Sequence, residues 1–183
     1  MRGAIEAQVE TRRPAMYPLF QSISDLEAGA AILRDRPYGI IETANEHLVA
    51  VHLRPWPKFG SLLESWWDDR VRRRWRAGNR CWLYYNQPWG QRNFLSLMYV
   101  VSTPDTTLAT LHGAGVVLDE IARIKQTDAI MCHVTNRRIS NRLLEREGWQ
   151  QHCLQNPGRH FIKRFYGVYP QNKTIFSTDR RNT

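Results

Sequence analysis

The sequence predicts an α/β domain built on a mixed sheet, and three observations carry that prediction. Two pairs of β-type runs, GIIET with HLVAVHL and CWLYYN with NFLSLMYVVS, each fold back across a short segment rich in turn residues. Around them, apolar residues recur with the 3.6-residue period of helices. A single apolar run, AIMCHV at 129–134, follows a long helical stretch, which is the spacing of a crossover to a parallel strand. The chain has 183 residues, 42% of them hydrophobic, enough for the core of one domain spanning 1–183.

The elements follow in order. Ser24 with Glu27 three residues on makes a capping box, and Leu26, Ala30 and Leu33 share a face, so a helix is expected over 24–34, weakened by Gly29. Residues 38–54 read as a hairpin turning at Ala44, Asn45 and Glu46. After the Pro-rich break RPWPKFG, Ser61 and Glu64 open a long helix that closes at Gly78. Its Leu63, Trp67, Val71 and Trp75 recur every fourth residue, while Asp68, Asp69, Arg72, Arg73 and Arg76 fall opposite. Interleaved Trp and Arg also suit stacking on bases, but helical spacing alone accounts for the pattern. CWLYYN and NFLSLMYVVS form the second hairpin across QPWGQR. Thr103 and Pro104 start a helix that runs to Gln126, with Asp105 in its first turn. AIMCHV, apolar on both faces, is a central strand. Asn136 caps a further helix in which Ile139, Leu143 and Leu144 face inward, with Gly148 as its stop. WQQHCL and RHFIKRFYG close the fold as a strand pair joined by QNPG, and 168–183 reads as a loosely held tail.

Charge and cysteines narrow the classes of function. Twenty-two Arg and four Lys against 17 acidic residues give a net charge of +9, which favours an acidic ligand or nucleic acid; codon bias with no partner produces the same excess. No apolar stretch approaches the roughly 20 residues of a membrane span, and the start MRGAIEAQVETRRP lacks the apolar core of a signal peptide, so a cytoplasmic protein is expected. Cys81, Cys132 and Cys153 have neither disulfide nor zinc-knuckle spacing, and His152, Cys153 and His160 lack metal-ligand spacing; no metal is expected.

The segment 93–166 resembles the second half of the GNAT N-acyltransferase superfamily: a strand, a helix, a second strand, a short helix and a final strand pair. The residues that carry the likeness are NRRISNRLLEREGW at 136–149, similar to that family's Asn, short helix and Gly-Phe/Trp ending. The resemblance implies a GNAT-like fold and an acetyl-CoA or other acyl-CoA co-substrate. It further implies a cofactor site at Val100, Val101, Ser102, Gly113, Gly115, Asn136 and Arg137, with Arg138 close by. The family's pyrophosphate loop, Gln/Arg-x-x-Gly-x-Gly/Ala, matches Thr110-x-x-Gly113-x-Gly115 in spacing but without the leading Gln or Arg. The unbroken helical period across both glycines favours a helix interior instead, and ungapped counting puts the loop near 106–111. The family's thiolate-protonating Tyr falls at Leu144.

A proton acceptor for an attacking amine could come from Glu42, Glu46, His47, His52 or His133, each as readily structural as catalytic. The resemblance thus implies an acyl-CoA-dependent N-acyltransferase of unknown acceptor. A non-catalytic relative that holds a ligand or protein partner in the same cleft is the alternative, and a nucleic-acid-binding module, resting on the Arg excess, is the third.

Overall fold

The computed structural model describes residues 21–56, 78–135, 139–155 and 157–170. The helix expected over 61–78, with Trp67, Val71, Trp75 and their Arg-rich opposite face, lies outside the described residues, as do Asn136, Arg137, Arg138 and the tail from 171.

One mixed sheet of eight strands organises the described residues, in the spatial order β1-β3-β2-β4-β5-β6-β8-β7. Its strands are β1 (Gln21–Ile23), β2 (Tyr38–Ala44), β3 (His47–Arg54), β4 (Arg80–Asn86), β5 (Phe94–Ser102), β6 (Ala129–His133), β7 (Gln150–Gln151) and β8 (His160–Arg164). Three helices join them: α1 (Ala30–Asp35), α2 (Leu108–Lys125) and α3 (Asn141–Arg146). The fold class is the expected one. Both hairpins form, and β5 and β6 are parallel, with α2 as the crossover between them.

Three elements differ from expectation. The first helix begins at Ala30, because Asp25 caps the Glu27 and Ala28 amides in an irregular turn. Gly29 sits there against the Ile23 side chain of β1, where any Cβ would collide. The crossover helix begins at Leu108, four residues after Pro104. Thr103 and Thr106 hydroxyls bond the Arg80 carbonyl and hold the intervening segment to β4 as a turn. The third helix is a short one starting at Asn141, with Ser140 as its cap: the Ser140 hydroxyl accepts from the Leu143 amide. It ends as expected at Gly148, whose φ of +84° only glycine adopts cheaply.

α1 and α2 lie on one face of the sheet. Between them and the strands sits the main core, in which Leu33, Ile41, Val51, Leu95, Ile121 and Ile130 are essentially solvent-free. Alternation along the strands sends Ile40, Trp82 and Tyr84 to the second face, where they form a smaller buried cluster with Val101 packed against it. Past β8, Tyr169 Oη donates to the Thr127 carbonyl at 2.8 Å and its ring meets Phe165, so the chain stays packed that far. No helix among the described residues is long and apolar enough to cross a membrane.

Candidate functional site

The parallel ladder between β5 and β6 runs from Phe94–Ala129 to Leu97–Cys132 and then stops. β5 does not stop. It continues to Ser102, paired among the described residues only with β4, in the register Tyr84–Tyr99, Leu83–Val100, Trp82–Val101 and Cys81–Ser102. The register shifts between Tyr84 and Tyr85, leaving Met98 as an extra residue in β5. Such a bulge bends and twists its strand. It falls one residue beyond the last pair with β6, which itself ends at His133. Met98, Tyr99 and Val100 are consequently 39, 43 and 40% exposed although they belong to an interior strand.

Beyond the Leu97–Cys132 pair no strand lies on the β6 side of β5 among the described residues, and this open position is termed the slot. It is bounded by the β5 edge at Val100, Val101 and Ser102 and by His133, the last residue of β6. His133 is exposed and stacks on its ladder partner His160 with ring centroids 4.5 Å apart. Gly158, at φ +115°, is required beside them, since a Cβ there would lie 2.7 Å from His133 Nε2. His133 points to the sheet's second face, the side on which Tyr84 and Tyr99 meet edge to face at 6.4 Å.

α2 begins shortly after the end of β5, and its N-terminus is held by Asn79, just ahead of β4, and by the β2–β3 turn. Thr107 caps it, accepting from the Thr110 amide, and Asn79 clasps Thr107 on both sides, its Oδ1 accepting from the Thr107 amide and its Nδ2 donating to the hydroxyl. The Thr106 and Leu111 amides are bonded to the Thr103 and Thr107 carbonyls. Among the described residues this leaves the amides of Leu108 and Ala109 open at the positive end of the helix dipole.

Gly113 and Gly115 lie inside α2, so neither forms the phosphate-holding loop that their spacing also allowed: in a helix interior each amide is committed to the preceding turn. Thr110, at the head of that motif, is fully buried. Its hydroxyl accepts from the Glu46 amide at 3.0 Å and its carbonyl accepts from Thr43 Oγ1, which ties α2 to the β2–β3 turn. In the sequence Thr110 only departs from the family's Gln/Arg position; its partners Thr43 and Glu46 are distant in the chain, and no local pattern announces them.

The proton-acceptor candidates separate. Glu46 and His47 sit at the β2–β3 turn on the sheet edge of that hairpin, and only His133 stands at the slot. Glu42 and His52 come together on the second face with a hydrogen bond of 3.0 Å, joined by Ser22 and Arg80, which the sequence did not single out. Of the cysteines, burial pushes the Cys81 and Cys132 thiols up to about 12, so both are inert at neutral pH. Among the described residues no cluster of three metal-ligating side chains occurs. Leu144 is half-buried in α3.

No family model matches this chain, and no curated protein does. Among solved structures it is similar to a nourseothricin acetyltransferase, with 12% identity, 80% of this chain and 99% of the other covered, and a TM-score of 0.40. A likeness that distant carries no weight beside the topology itself.

Proposed function

We propose that this chain is an acyl-CoA-dependent N-acyltransferase that works in the β5–β6 slot. The observation that carries the reading is the end of the β5–β6 ladder at Leu97–Cys132 while β5 runs on to Ser102. A pantetheine arm is an extended chain with two amides, and a strand edge released from its neighbour is what such a chain pairs with. Val100, Val101 and Ser102 would supply that edge. The open amides of Leu108 and Ala109, with the dipole behind them, would face the pyrophosphate, and the net charge of +9 favours an acidic ligand generally. Asn136 and Arg137 are assigned to the same site on the resemblance alone.

The acceptor amine would attack the thioester carbonyl from the second face. As the N–C bond forms, the amine's proton passes to His133 and the C–S bond breaks to release CoA thiolate. The stacked His160 and the glycine at 158 fix the His133 ring, which spares the orientational entropy of a lone exposed imidazole. A non-catalytic binding protein using the same slot is favoured by one observation: Leu144 has no hydroxyl with which to protonate the leaving thiolate.

Calorimetry with acetyl-CoA tests the proposal. Saturable binding with one site per chain, accompanied by a rise in melting temperature, is expected. No heat and no shift would overturn it. Binding without turnover across a panel of amines would turn the reading to the non-catalytic protein.

A further inference from the structure

Ser22, His52, Glu42 and Arg80 form a hydrogen-bonded chain on the second face of the sheet, remote from the slot. Ser22 and His52 are ladder partners across β1 and β3. Ser22 Oγ lies 2.8 Å from His52 Nδ1, His52 Nε2 lies 3.0 Å from Glu42 Oε2, and Arg80 Nη1 donates to Glu42 Oε1 at 2.9 Å. Between Ser22 on β1 and the slot edge on β5 stand β3, β2 and β4, a separation of about 19 Å at the usual strand spacing.

Two features set this chain apart from an ordinary satisfied acid. The first is its exposure gradient: the Glu42 side chain is 2% exposed, His52 23%, and Ser22 open to solvent. An acid in the interior, a half-buried base and an accessible hydroxyl are the arrangement in which a base oriented by a third group activates a nucleophile. The second is the tautomer. Glu42 Oε1 already accepts from Arg80 in an ion pair, and the tautomer with its hydrogen on His52 Nε2, donated to Glu42 Oε2, presents the Nδ1 lone pair to the Ser22 hydroxyl. Ser22 is then the donor and His52 the waiting base.

We propose that Ser22 is an activated nucleophile and that this chain cleaves small carboxylic esters at a second site, independent of the acyl-CoA reading. Ser22 Oγ bonds to the ester carbonyl carbon while its proton moves to His52 Nδ1. The bond to the alcohol oxygen breaks, and the alcohol leaves with that proton. Water then attacks the acyl-serine, gives a proton to His52, and frees the acid as Ser22 recovers its hydrogen. The sum is ester and water to acid and alcohol.

The test is covalent labelling with a fluorophosphonate probe, peptide mapping of the adduct, and hydrolysis of p-nitrophenyl acetate. The wild type should be labelled at Ser22; Ser22→Ala should carry no adduct there and lose the ester turnover. His52→Gln, which keeps a hydrogen-bonding group beside Glu42, should slow labelling by roughly 100-fold or more, the usual worth of a general base. Thermal melts check that both variants fold, and Ser22→Ala, at an exposed position, provides the comparison if His52→Gln does not. An unlabelled Ser22 in folded wild type, or labelling equally fast in folded His52→Gln, overturns the proposal.

Discussion

A Cβ on Gly113 would stand 3.1 Å from the carbonyl oxygen of Glu46, so the α2 backbone and the β2–β3 turn approach each other as closely as a glycine permits. The turn cannot retreat easily. Asn45 and Glu46 are in the left-handed region at φ 49° and 72°, and the Glu46 amide is pinned to Thr110 Oγ1. Gly115, two residues on, has nothing within 4 Å of its absent Cβ. The two glycines should therefore respond oppositely to alanine. Gly115→Ala should gain up to about 1 kcal/mol of helix propensity, or roughly 2 to 4 °C in melting temperature. Gly113→Ala should lose stability, overpacking of about 1 to 3 kcal/mol outweighing the same gain. Urea denaturation of the two variants checks the contrast, and acetyl-CoA affinity should be unchanged in Gly115→Ala.

Gly39 and Tyr85 make a second such pair in the core. A Cβ on Gly39 would lie 2.5 Å from Tyr85 Oη, and Tyr85 is solvent-free. Its hydroxyl has no hydrogen-bond partner among the described residues, and burial pushes its ionisation well above the usual tyrosine range. An unpaired buried hydroxyl is a cost with no return. Tyr85→Phe should therefore be neutral or stabilising by about 1 kcal/mol in chemical denaturation, whereas Gly39→Ala should destabilise by about 1 to 3 kcal/mol.

These pairs mark the boundary of what the sequence reveals. The hairpins, the crossover helix and the parallel β5–β6 pair were legible because periodicity and turn residues are local signals. The helix starts were not: Thr103 and Pro104 form a proper N-terminal signature, but Thr103 and Thr106 are drawn to the Arg80 carbonyl of β4, a tertiary bond that outcompetes the local cap. The end of the β5–β6 ladder at Leu97–Cys132 and the Met98 bulge appear only with the register, which no local pattern announces. The Ser22–His52–Glu42 chain could not be read at all, since its members come from three strands and each alone reads as an ordinary β residue.

The α2 cap gives a third prediction. Thr107 accepts from the Thr110 amide and is itself held by Asn79. Thr107→Ala removes the cap and should cost about 1 kcal/mol, with Thr107→Ser retaining most of it. A melting temperature unchanged in Thr107→Ala would show that the helix start is carried by Thr103 and Thr106 instead.

Lys125 gives stability a specific pH dependence. Its ammonium, at the end of α2, donates to the Arg36 carbonyl at 2.8 Å and to Gln87 Oε1 at 3.1 Å. Burial lowers its pKa from 10.5 to about 8, with Asp35 opposing the shift and Arg92 adding to it. Between these values the unfolded chain holds more protons than the folded one, so stability rises with pH across that window. Below about pH 8 the lysine is charged in both states and its burial cost is constant. The stability of the wild type relative to Lys125→Met should therefore grow from about pH 8 to about pH 10.5 and be flat below it. Urea midpoints at several pH values for both proteins decide this; parallel profiles across the window would refute it.

The last prediction concerns His133 and separates binding from chemistry. It stands at the end of β6, one residue past the last pair with β5, on the side from which an amine would approach. The edge proposed to hold pantetheine belongs to β5 and not to His133, so replacing the imidazole should leave acetyl-CoA affinity intact. His133→Gln keeps a polar side chain against His160 and removes the base. With an accepted amine, kcat should fall by roughly 10²- to 10⁴-fold while the calorimetric affinity for acetyl-CoA stays within a factor of about three. The residual rate should recover at alkaline pH, where more of the amine is already deprotonated. His160→Gln should be milder, because it removes the stacking that orients the ring and not the group that takes the proton. Equal losses in both variants would make the pair a structural clasp of β6 to β8, and an unaltered kcat in His133→Gln would remove His133 from the chemistry altogether.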